Sequence, residues 1–292
     1  MSPTIGAALR QAIACLEQHR VTEPRAAAEV LLADLLARSR PHLYLEAEQE
    51  LSASQHLAYR RRLQHRLRGA PVQYVTGKQE FWSLEFTVTP AVLIPRPESE
   101  LLVEEGIRLA RQWQETRGQP GLYCLDVGTG SGCLAISLAH ALPQAHVLAL
   151  DCSLPALQVA RHNARRLGVA ERVHCVASDL VTTLRPATRC FALCVANLPY
   201  VTTDEWCHLP QEIQAYEPPG ALCGGVDGLA VIRRLLGAGF DYLAPGGTVL
   251  LEVGWQQAST VVTMFRQHVP GCRVGVSHDF AGIERVVWAQ CS

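Results

Sequence analysis

The first 70 residues carry apolar side chains at helical spacing, which predicts a small helical domain over residues 1–70. The first set recurs every three or four positions: Ile5, Leu9, Ile13 and Leu16. A second helix is predicted to begin with Thr22 as its N-cap and Pro24 in its first turn. A third helix is predicted from Ser52 to about Arg68, where glycine and proline follow within three residues.

The predicted third helix is strongly basic. Its cationic and titratable side chains are Arg60, Arg61, Arg62, His65, Arg66 and Arg68. One interpretation is a solvated helix face. The other is a docking surface for an acidic or RNA-associated partner, and the sequence leaves both open.

Residues 71–98 change character and are predicted to form a linker that contains a β-hairpin. The hairpin rests on five apolar positions: Phe81, Trp82, Leu84, Phe86 and Val88. Residues 94–98 contain two prolines and predict a stiff turn. A helix from about Ser99 to Gln114 and a loop over residues 117–121 are predicted to follow.

From residue 122 onward, apolar runs alternate with helical patterns, which predicts an α/β domain over residues 99–292 with a mostly parallel sheet covered on both faces. The predicted strands cover residues 122–128, 146–151, 173–179, 191–200, 247–254, 273–279 and 285–290. The predicted helices cover residues 133–142, 154–168, 228–243 and 256–269.

Composition narrows the class of protein. Hydrophobic residues make up 48% of the 292 residues and charged residues 18%, which favours a large buried core over disorder. The net charge of −1 argues against sequence-specific or general binding to bare nucleic acid through a basic field. No apolar run approaches the ~20 residues that span a bilayer, so we expect a soluble, cytoplasmic protein. The eleven cysteines lack C-x-x-C spacing, which favours reduced thiols and no metal site.

A glycine-rich turn follows the first strand of the α/β region and precedes a helix. Its residues are Gly128, Thr129, Gly130, Ser131 and Gly132. Glycines here let the backbone turn tightly and approach a ligand closely. The spacing differs from the G-x-G-x-x-G of dinucleotide sites, and no P-loop lysine follows, which disfavours nucleotide hydrolysis.

Three aspartates lie at the ends of neighbouring predicted strands. Asp151 lies 23 positions after Gly128, near the spacing of about 20 residues expected of an acid that binds a ribose. Asp126 precedes the glycines, and Asp179 ends the third strand, where it can meet an adenine amine. A helix-cap or turn role is the alternative for each. Together with the glycine turn, they predict an adenosine cofactor without a pyrophosphate, and S-adenosyl-L-methionine fits.

The fourth strand of this region ends at a tetrad with amide chemistry, namely Asn197, Leu198, Pro199 and Tyr200. An amide nitrogen is a poor nucleophile, and two acceptors on its N–H groups favour the transition state of its methylation. The Asn197 side-chain oxygen and the Leu198 carbonyl can be these acceptors, because the following proline biases Leu198 to an extended backbone. Tyr200 offers a flat face for a planar amide or base. A plain Asn-Pro turn is the alternative.

These residues resemble the HemK/PrmC family of protein-(glutamine-N5) methyltransferases, which act on peptide-chain release factors. The likeness covers nearly the whole chain. It extends through residues 69–77, 92–100, 125–139, 217–229, 251–257 and 278–285. The segments at 69–77 and 92–100 are far more specific than the glycine turn and the tetrad, which alone indicate an amino-methyltransferase.

The resemblance implies a class I, Rossmann-like methyltransferase domain, with a seven-stranded sheet whose last strand is inserted antiparallel. It implies that residues 1–70 dock the release factor and that the substrate is the glutamine of its Gly-Gly-Gln loop. The residues from Gly128 to Gly132, Asp151 and Asn197 carry over as cofactor positions, and the tetrad carries over as the substrate clamp.

Two positions depart from the family pattern. Leu198 stands where the family usually has the first proline of Asn-Pro-Pro-Tyr, which predicts a less rigid clamp. Leu180 follows Asp179 where an aromatic residue often packs on the adenine. Leucine still covers a ring face, with less stacking.

Other functions use similar residues. An adenine-N6 methyltransferase of DNA or RNA meets the same chemical problem with the same tetrad and flips its base out. A glutamine methyltransferase of a ribosomal protein differs only in its docking surface. A scaffold that binds the cofactor without transferring a methyl group is the non-catalytic alternative.

Overall fold

A computed structural model describes residues 3–118, 121–185, 189–269 and 271–291 of the chain. The described residues divide into two compact units. The first unit contains the chain up to Lys78 together with Pro210–Tyr216, and the second contains Gln79–Leu209 and the residues from Glu217 onward. Within the predicted loop at 117–121, positions 119 and 120 lie outside the described residues.

The first unit is helical, as the spacing of its apolar residues predicts. Its helices are Ile5–Gln18 (α1), Pro24–Leu36 (α2), Arg40–Leu45 (α3), Ala53–Leu67 (α4), Val72–Thr76 (α5) and Gln211–Tyr216 (α10). Ser52 caps α4 with a capping box that includes Gln55. The predicted cap at Thr22 is wrong, because the residue before the helix is Glu23, with φ 50°. Pro24 lies in the first turn, as predicted.

One apolar cluster forms the core of the first unit. Its largest fully buried side chains are Leu16, Leu31, Leu32, Leu43, Leu51 and Tyr59. Two arginines of the basic helix α4 are committed to ion pairs within this unit. Arg62 pairs with Asp34 at 2.7 Å, and the buried Arg66 pairs with Glu212 at 2.6 Å. Arg60 and Arg61 are exposed, so only part of the predicted basic face is available to a partner.

The predicted hairpin is confirmed. Lys78–Phe81 (β1) and Leu84–Thr87 (β2) pair as a two-stranded sheet. Asn163 ties the hairpin to the rest of the second unit, because its side chain exchanges hydrogen bonds of 2.8 and 2.9 Å with the backbone N–H and C=O of Thr87.

The predicted seven-stranded, mostly parallel sheet is also confirmed in the described residues. Its strands are Leu122–Val127 (β3), Ala145–Asp151 (β4), Val173–Ala177 (β5), Phe191–Ala196 (β6), Leu243–Glu252 (β7), Arg273–His278 (β8) and Glu284–Gln290 (β9). Their order is β5-β4-β3-β6-β7-β9-β8, and β9 is antiparallel to both neighbours. The strand order reverses between β3 and β6, which places a ligand-binding crevice at their carboxyl ends.

Helices cover both faces of this sheet. They are Glu100–Arg117 (α6), Cys133–Ala141 (α7), Leu154–Arg166 (α8), Ala230–Gly237 (α11) and Ala258–His268 (α12). A short helix at Thr203–His208 (α9) and 3-10 turns at Pro97–Ser99 and Pro219–Ala221 lie in the connections. Successive strand residues alternate between two apolar clusters: Leu193 and Val195 pack on the side of α6 and α7, and Cys194 and Ala196 pack on the side of α11 and α12.

The helix predicted over residues 228–243 is too long. It ends at Gly237, and Gly239 follows with φ +75°. The strand β7 therefore begins at Leu243, earlier than predicted. Among the described residues, no helix combines the length and apolar character needed to cross a membrane.

Candidate active site

The glycine-rich turn connects β3 to α7 at the switch point of the sheet. Gly128, Gly130 and Gly132 all have positive φ, of +78°, +56° and +82°. A Cβ atom on Gly132 would lie 3.0 Å from Ile136 and 3.2 Å from Ala160, so this position needs both the backbone freedom and the small size of glycine. The N–H groups of Gly128 and Thr129 donate to the Leu150 carbonyl, and that of Gly132 donates to the Thr129 carbonyl, so the protein itself holds the shape of the turn.

Asp126 lies behind the turn, in the interior of the second unit. Its side chain is fully buried, and Oδ2 accepts hydrogen bonds from the Thr129 hydroxyl at 2.6 Å and the Ala135 N–H at 3.2 Å. Burial raises the pKa of Asp126 to about 7. The carboxyl group thus holds the shape of the turn from within.

Asp151 ends β4 and faces the turn. Its Oδ2 accepts the Gly130 N–H at 2.9 Å, and its Oδ1 accepts the Ser153 N–H at 2.8 Å. A carboxylate oxygen accepts more than one hydrogen bond, so both oxygens can still receive the hydroxyls of a ribose.

Asp179 and Leu180 follow β5. The Asp179 carboxylate pairs with Arg234 at 2.6 Å, and both side chains are more than half exposed. Leu180 is half-buried and has φ +53°. The sequence predicts contact between Asp179 and an adenine amine, and the structure adds a cation, Arg234, at that end of the site.

A single cavity of about 360 Å³ brings most of the predicted residues together. The predicted residues in its lining are Gly128, Thr129, Gly130, Ser131, Asp151, Asp179, Leu180, Asn197, Leu198 and Pro199. Asp126, Gly132 and Tyr200 lie outside this lining. The volume is in the range of small-molecule sites.

The tetrad begins where β6 ends. The Asn197 amide nitrogen donates to the Ser99 hydroxyl at 2.8 Å, which turns the Asn197 carbonyl oxygen away from Ser99. Leu198 is buried, and its side chain packs on Gly128. The leucine that replaces the expected proline therefore fills space beside the glycine turn.

Tyr200 is held at both ends. Its hydroxyl donates to Glu252 Oε1 at 3.1 Å, and its carbonyl accepts the Gln257 amide N–H at 2.9 Å. Gln257 in turn accepts the Gly254 N–H at 2.8 Å. Burial, followed by the nearby Glu252 carboxylate, raises the pKa of Tyr200 well above its usual range, so the phenol stays protonated.

The sequence singled out neither Ser99, Glu252 nor Gln257 as site residues. They lie 98, 52 and 57 positions from the tetrad residues that they contact. The available signals were a serine before a predicted helix and a carboxylate at the end of an apolar strand.

Arg96 is a second cation in the cavity lining. Its guanidinium pairs with the buried Glu217, whose other oxygen accepts the Ile94 N–H at 3.2 Å. The stiff turn predicted at 94–98 is therefore anchored to Glu217 by Arg96 and by the Ile94 N–H.

The arrangement combines a glycine turn, a carboxylate for a ribose and an amide acceptor in one cavity. These are the groups expected to hold an adenosyl sulfonium compound, because they offer a turn that a ligand can approach closely and an acceptor for a diol, without a phosphate-binding lysine. Among the described residues, no group of three His, Cys, Asp or Glu side chains is arranged to hold a metal ion.

Comparisons with known proteins agree with this geometry. A model of the PrmC N-terminal domain matches residues 7–77, and a methyltransferase domain model matches residues 124–220. The release factor glutamine methyltransferase of Koribacter versatilis is 39% identical over 97% of this chain and 97% of its own length. That of Bordetella pertussis is 41% identical over 90% and 93%.

A solved structure shares the fold. The hMettl16 catalytic domain, crystallised in complex with MAT2A 3'UTR hairpin 1, has a TM-score of 0.54 at 15% identity and covers 84% of each chain. At this identity the likeness concerns the fold alone.

Proposed function

This chain belongs to the family of release factor glutamine methyltransferases, and we propose that it methylates the side-chain amide nitrogen (N5) of the glutamine in the Gly-Gly-Gln loop of a peptide-chain release factor. S-adenosylmethionine, when bound, supplies an electrophilic methyl group on a positively charged sulfur. Since release factors act in translation, we place the reaction in the cytoplasm.

Asn197 lines the same cavity as Gly130 and Asp151, and its amide nitrogen is already engaged by Ser99. The Asn197 carbonyl oxygen can therefore accept a hydrogen bond from an incoming amide beside the cofactor groups. An acceptor at this position suits a substrate that has N–H groups to donate.

The tetrad acts on the glutamine by holding and polarising it. The Asn197 oxygen and the Leu198 carbonyl accept from the two N–H groups of the amide, which favours the nitrogen geometry of the transition state. No strong general base is required, because the proton becomes acidic once the methyl group is attached. We propose that the Tyr200 ring borders the amide plane. Glu252 holds the Tyr200 hydroxyl, and Gln257 holds its backbone carbonyl.

The cofactor is proposed to lie along the carboxyl ends of β3 to β6. Asp151 binds the ribose hydroxyls, the turn from Gly128 to Gly132 surrounds the amino-acid part, and Leu180 with Asp179 covers the adenine. Asp126 supports the turn from behind through Thr129.

The domain boundaries remain a prediction. We propose that residues 1–70 dock the release factor, residues 71–98 link the domains, and residues 99–292 carry out the transfer. The match of residues 7–77 to the PrmC N-terminal domain supports a separate role for the first segment.

A label-transfer experiment tests the function. The purified protein is incubated with methyl-labelled S-adenosylmethionine and a release factor, in parallel with a factor whose loop glutamine is changed to alanine. We expect label only in the unchanged factor. An Asn197→Ala variant should lose transfer while remaining folded. Intact cofactor binding without label in either factor would rule out the release-factor assignment.

A further inference from the structure

Two arginines line the cavity, and their surroundings differ. Among the described residues of the lining, Arg96 and Arg234 are the only arginine or lysine side chains. Arg234 pairs with Asp179, and both of these side chains are 57% exposed, as in an ordinary surface ion pair. Arg96 pairs with Glu217, which is buried. A buried carboxylate held for one arginine of a small cavity indicates that the position of this guanidinium matters.

The Arg96 guanidinium is held from one side. Its Nη2 donates to Glu217 Oε1, while Glu217 Oε2 accepts the Ile94 N–H at 3.2 Å. Both carboxylate oxygens are therefore used, and the Arg96 side chain remains 32% exposed. A guanidinium carries five N–H donors in a fixed fork. Within the described residues Glu217 engages Nη2, so the donors on Nε and Nη1 are available to a molecule in the cavity.

The strand order separates the two ends of the cavity. Asp179 follows β5 and Asp151 ends β4, while Asn197 follows β6 on the other side of β3. Arg96 belongs to the Asn197 end, because its carbonyl accepts the Ser99 N–H at 3.1 Å and the Ser99 hydroxyl accepts the Asn197 amide N–H at 2.8 Å. The adenosine part of the proposed cofactor lies at the end with the two aspartates. Its amino-acid part therefore lies at the end with Arg96.

The amino-acid part of S-adenosylmethionine ends in a carboxylate that needs hydrogen-bond donors. An ionised carboxylate enclosed in a cavity is costly unless donors or a cation bind it. The glycine turn has few donors left, because four of its five N–H groups already donate within the protein. These are the N–H groups of Gly128, Thr129, Gly130 and Gly132. The carboxylate therefore requires a donor from outside the turn.

We propose that Arg96 binds the α-carboxylate of S-adenosylmethionine through the N–H groups that Glu217 leaves free. This inference rests on the proposed function and its cofactor. Hydrogen bonds between a guanidinium and a carboxylate are among the strong ones in proteins. Because Glu217 fixes the guanidinium before the cofactor arrives, binding orders little that was free. The sulfur lies between the ribose and the amino-acid part, so Asp151 and Arg96 together hold the cofactor on both sides of the reacting group.

Two ligands that differ only in the carboxylate test this contact. Titration calorimetry measures the dissociation constants of S-adenosylmethionine and of its decarboxylated form, without any release factor present. Arg96→Met removes the charge and keeps a straight side chain. We expect it to weaken binding of S-adenosylmethionine on the order of 10- to 100-fold, the loss of a hydrogen-bonded charge pair. Binding of the decarboxylated form should weaken by less than about threefold, because that ligand never used the contact.

Arg234→Met is the matched control, because it removes the other arginine of the same lining at the adenosine end. It should change the two dissociation constants by the same factor. An equal loss of both ligands in Arg96→Met would overturn the proposal, since it would mean that Arg96 only supports the shape of the cavity. Unchanged binding of S-adenosylmethionine, together with a raised KM for the release factor, would overturn it as well and would place Arg96 against the protein substrate.

A second variant covers the case in which Arg96→Met leaves Glu217 buried without its partner and fails to fold. The double variant Arg96→Met, Glu217→Gln removes both charges together and should show the same selective loss of S-adenosylmethionine. The outcomes also separate this inference from the function on which it rests. Selective loss of cofactor binding without label in the release factor contradicts the proposed substrate and leaves the role of Arg96 standing. Label in the factor without selective loss contradicts the role of Arg96 alone.

Discussion

Asp126 and Asp151 end adjacent strands, yet their surroundings give them different roles. Asp151 lines the cavity, whereas Asp126 is fully buried and bonds to Thr129 and Ala135. Its Oδ1 has no hydrogen-bond partner among the described residues. The carboxyl group therefore resists ionisation, which is the physical cause of its raised pKa.

This burial predicts a pH-dependent stability. Because the pKa of Asp126 rises from 3.8 to about 7 on folding, its stabilising contribution is complete below about pH 4 and is lost as the pH rises toward 7. Relative to Asp126→Asn, the free energy of unfolding should fall by up to about 4 kcal/mol over that range. Urea denaturation of both proteins at a series of pH values measures the difference. A difference that stays constant with pH would contradict the buried, protonated carboxyl.

Gly228 lies so close to the tetrad that only glycine fits at this position. It has φ +72°, and an added Cβ would overlap the Tyr200 carbonyl oxygen and lie 2.5 Å from Gln257 Nε2. A side chain here displaces the backbone of the tetrad.

Gly228→Ala should therefore lower kcat by more than about tenfold, in line with the cost of a small misplacement of reacting groups. Gly168→Ala is the matched control, since Gly168 has φ +74° and an added Cβ there would meet no described heavy atom within 4 Å. Both variants should lose roughly 1–2 kcal/mol of stability from the left-handed backbone, but only Gly228→Ala should lose activity. Equal kinetics in the two variants would mean that the tetrad does not depend on this contact.

At the scale of elements, long periodic segments are predictable from the sequence and short ones are not. The strands of the sheet and helices such as α4 and α7 follow from apolar spacing, caps and glycines. The six-residue helices α3, α9 and α10 were not predicted, because a helix this short has little intrinsic stability and depends on tertiary contacts. The glycine turn and the tetrad are contiguous and predictable, whereas Ser99 and Glu252 join the site only through folding.

Asn163 illustrates a connection between elements that periodicity cannot predict. This fully buried residue of α8 bonds to both backbone groups of Thr87 in β2 and to the Ser131 carbonyl in the glycine turn, at 2.8 to 2.9 Å. Asn163→Ala should reduce the free energy of unfolding by about 3 kcal/mol, because it leaves three backbone groups unpaired. His162→Ala, on the exposed side of the same helix, should change stability little. Equal unfolding midpoints would contradict this role.

At the scale of the whole molecule, net charge and local charge point to different conclusions. The net charge of −1 argues against general binding to polyanions such as nucleic acid. Arg60 and Arg61 on α4 are exposed and still offer a local cationic surface. Their neighbours Arg62 and Arg66 contribute less to it, because they form ion pairs with Asp34 and Glu212.

If this surface docks the release factor, reversing its charge should weaken binding of the factor and leave the rate of methyl transfer unchanged. The double variant Arg60→Glu, Arg61→Glu should raise the KM for the factor roughly three- to tenfold and leave kcat nearly unchanged. Two exposed arginines of the second unit, changed in Arg111→Glu, Arg165→Glu, provide the control for altered net charge. The same KM in both double variants would argue for a solvated helix face.

The position of the transferred methyl group tests the central claim most directly. After reaction with S-adenosylmethionine, the release factor is digested and the Gly-Gly-Gln peptide is fragmented in a mass spectrometer. We expect one added methyl group, located on the side-chain nitrogen of the loop glutamine and missing when the Asn197→Ala variant is used. A methyl group on any other residue of the factor, or on this glutamine in equal amount with Asn197→Ala, would contradict it.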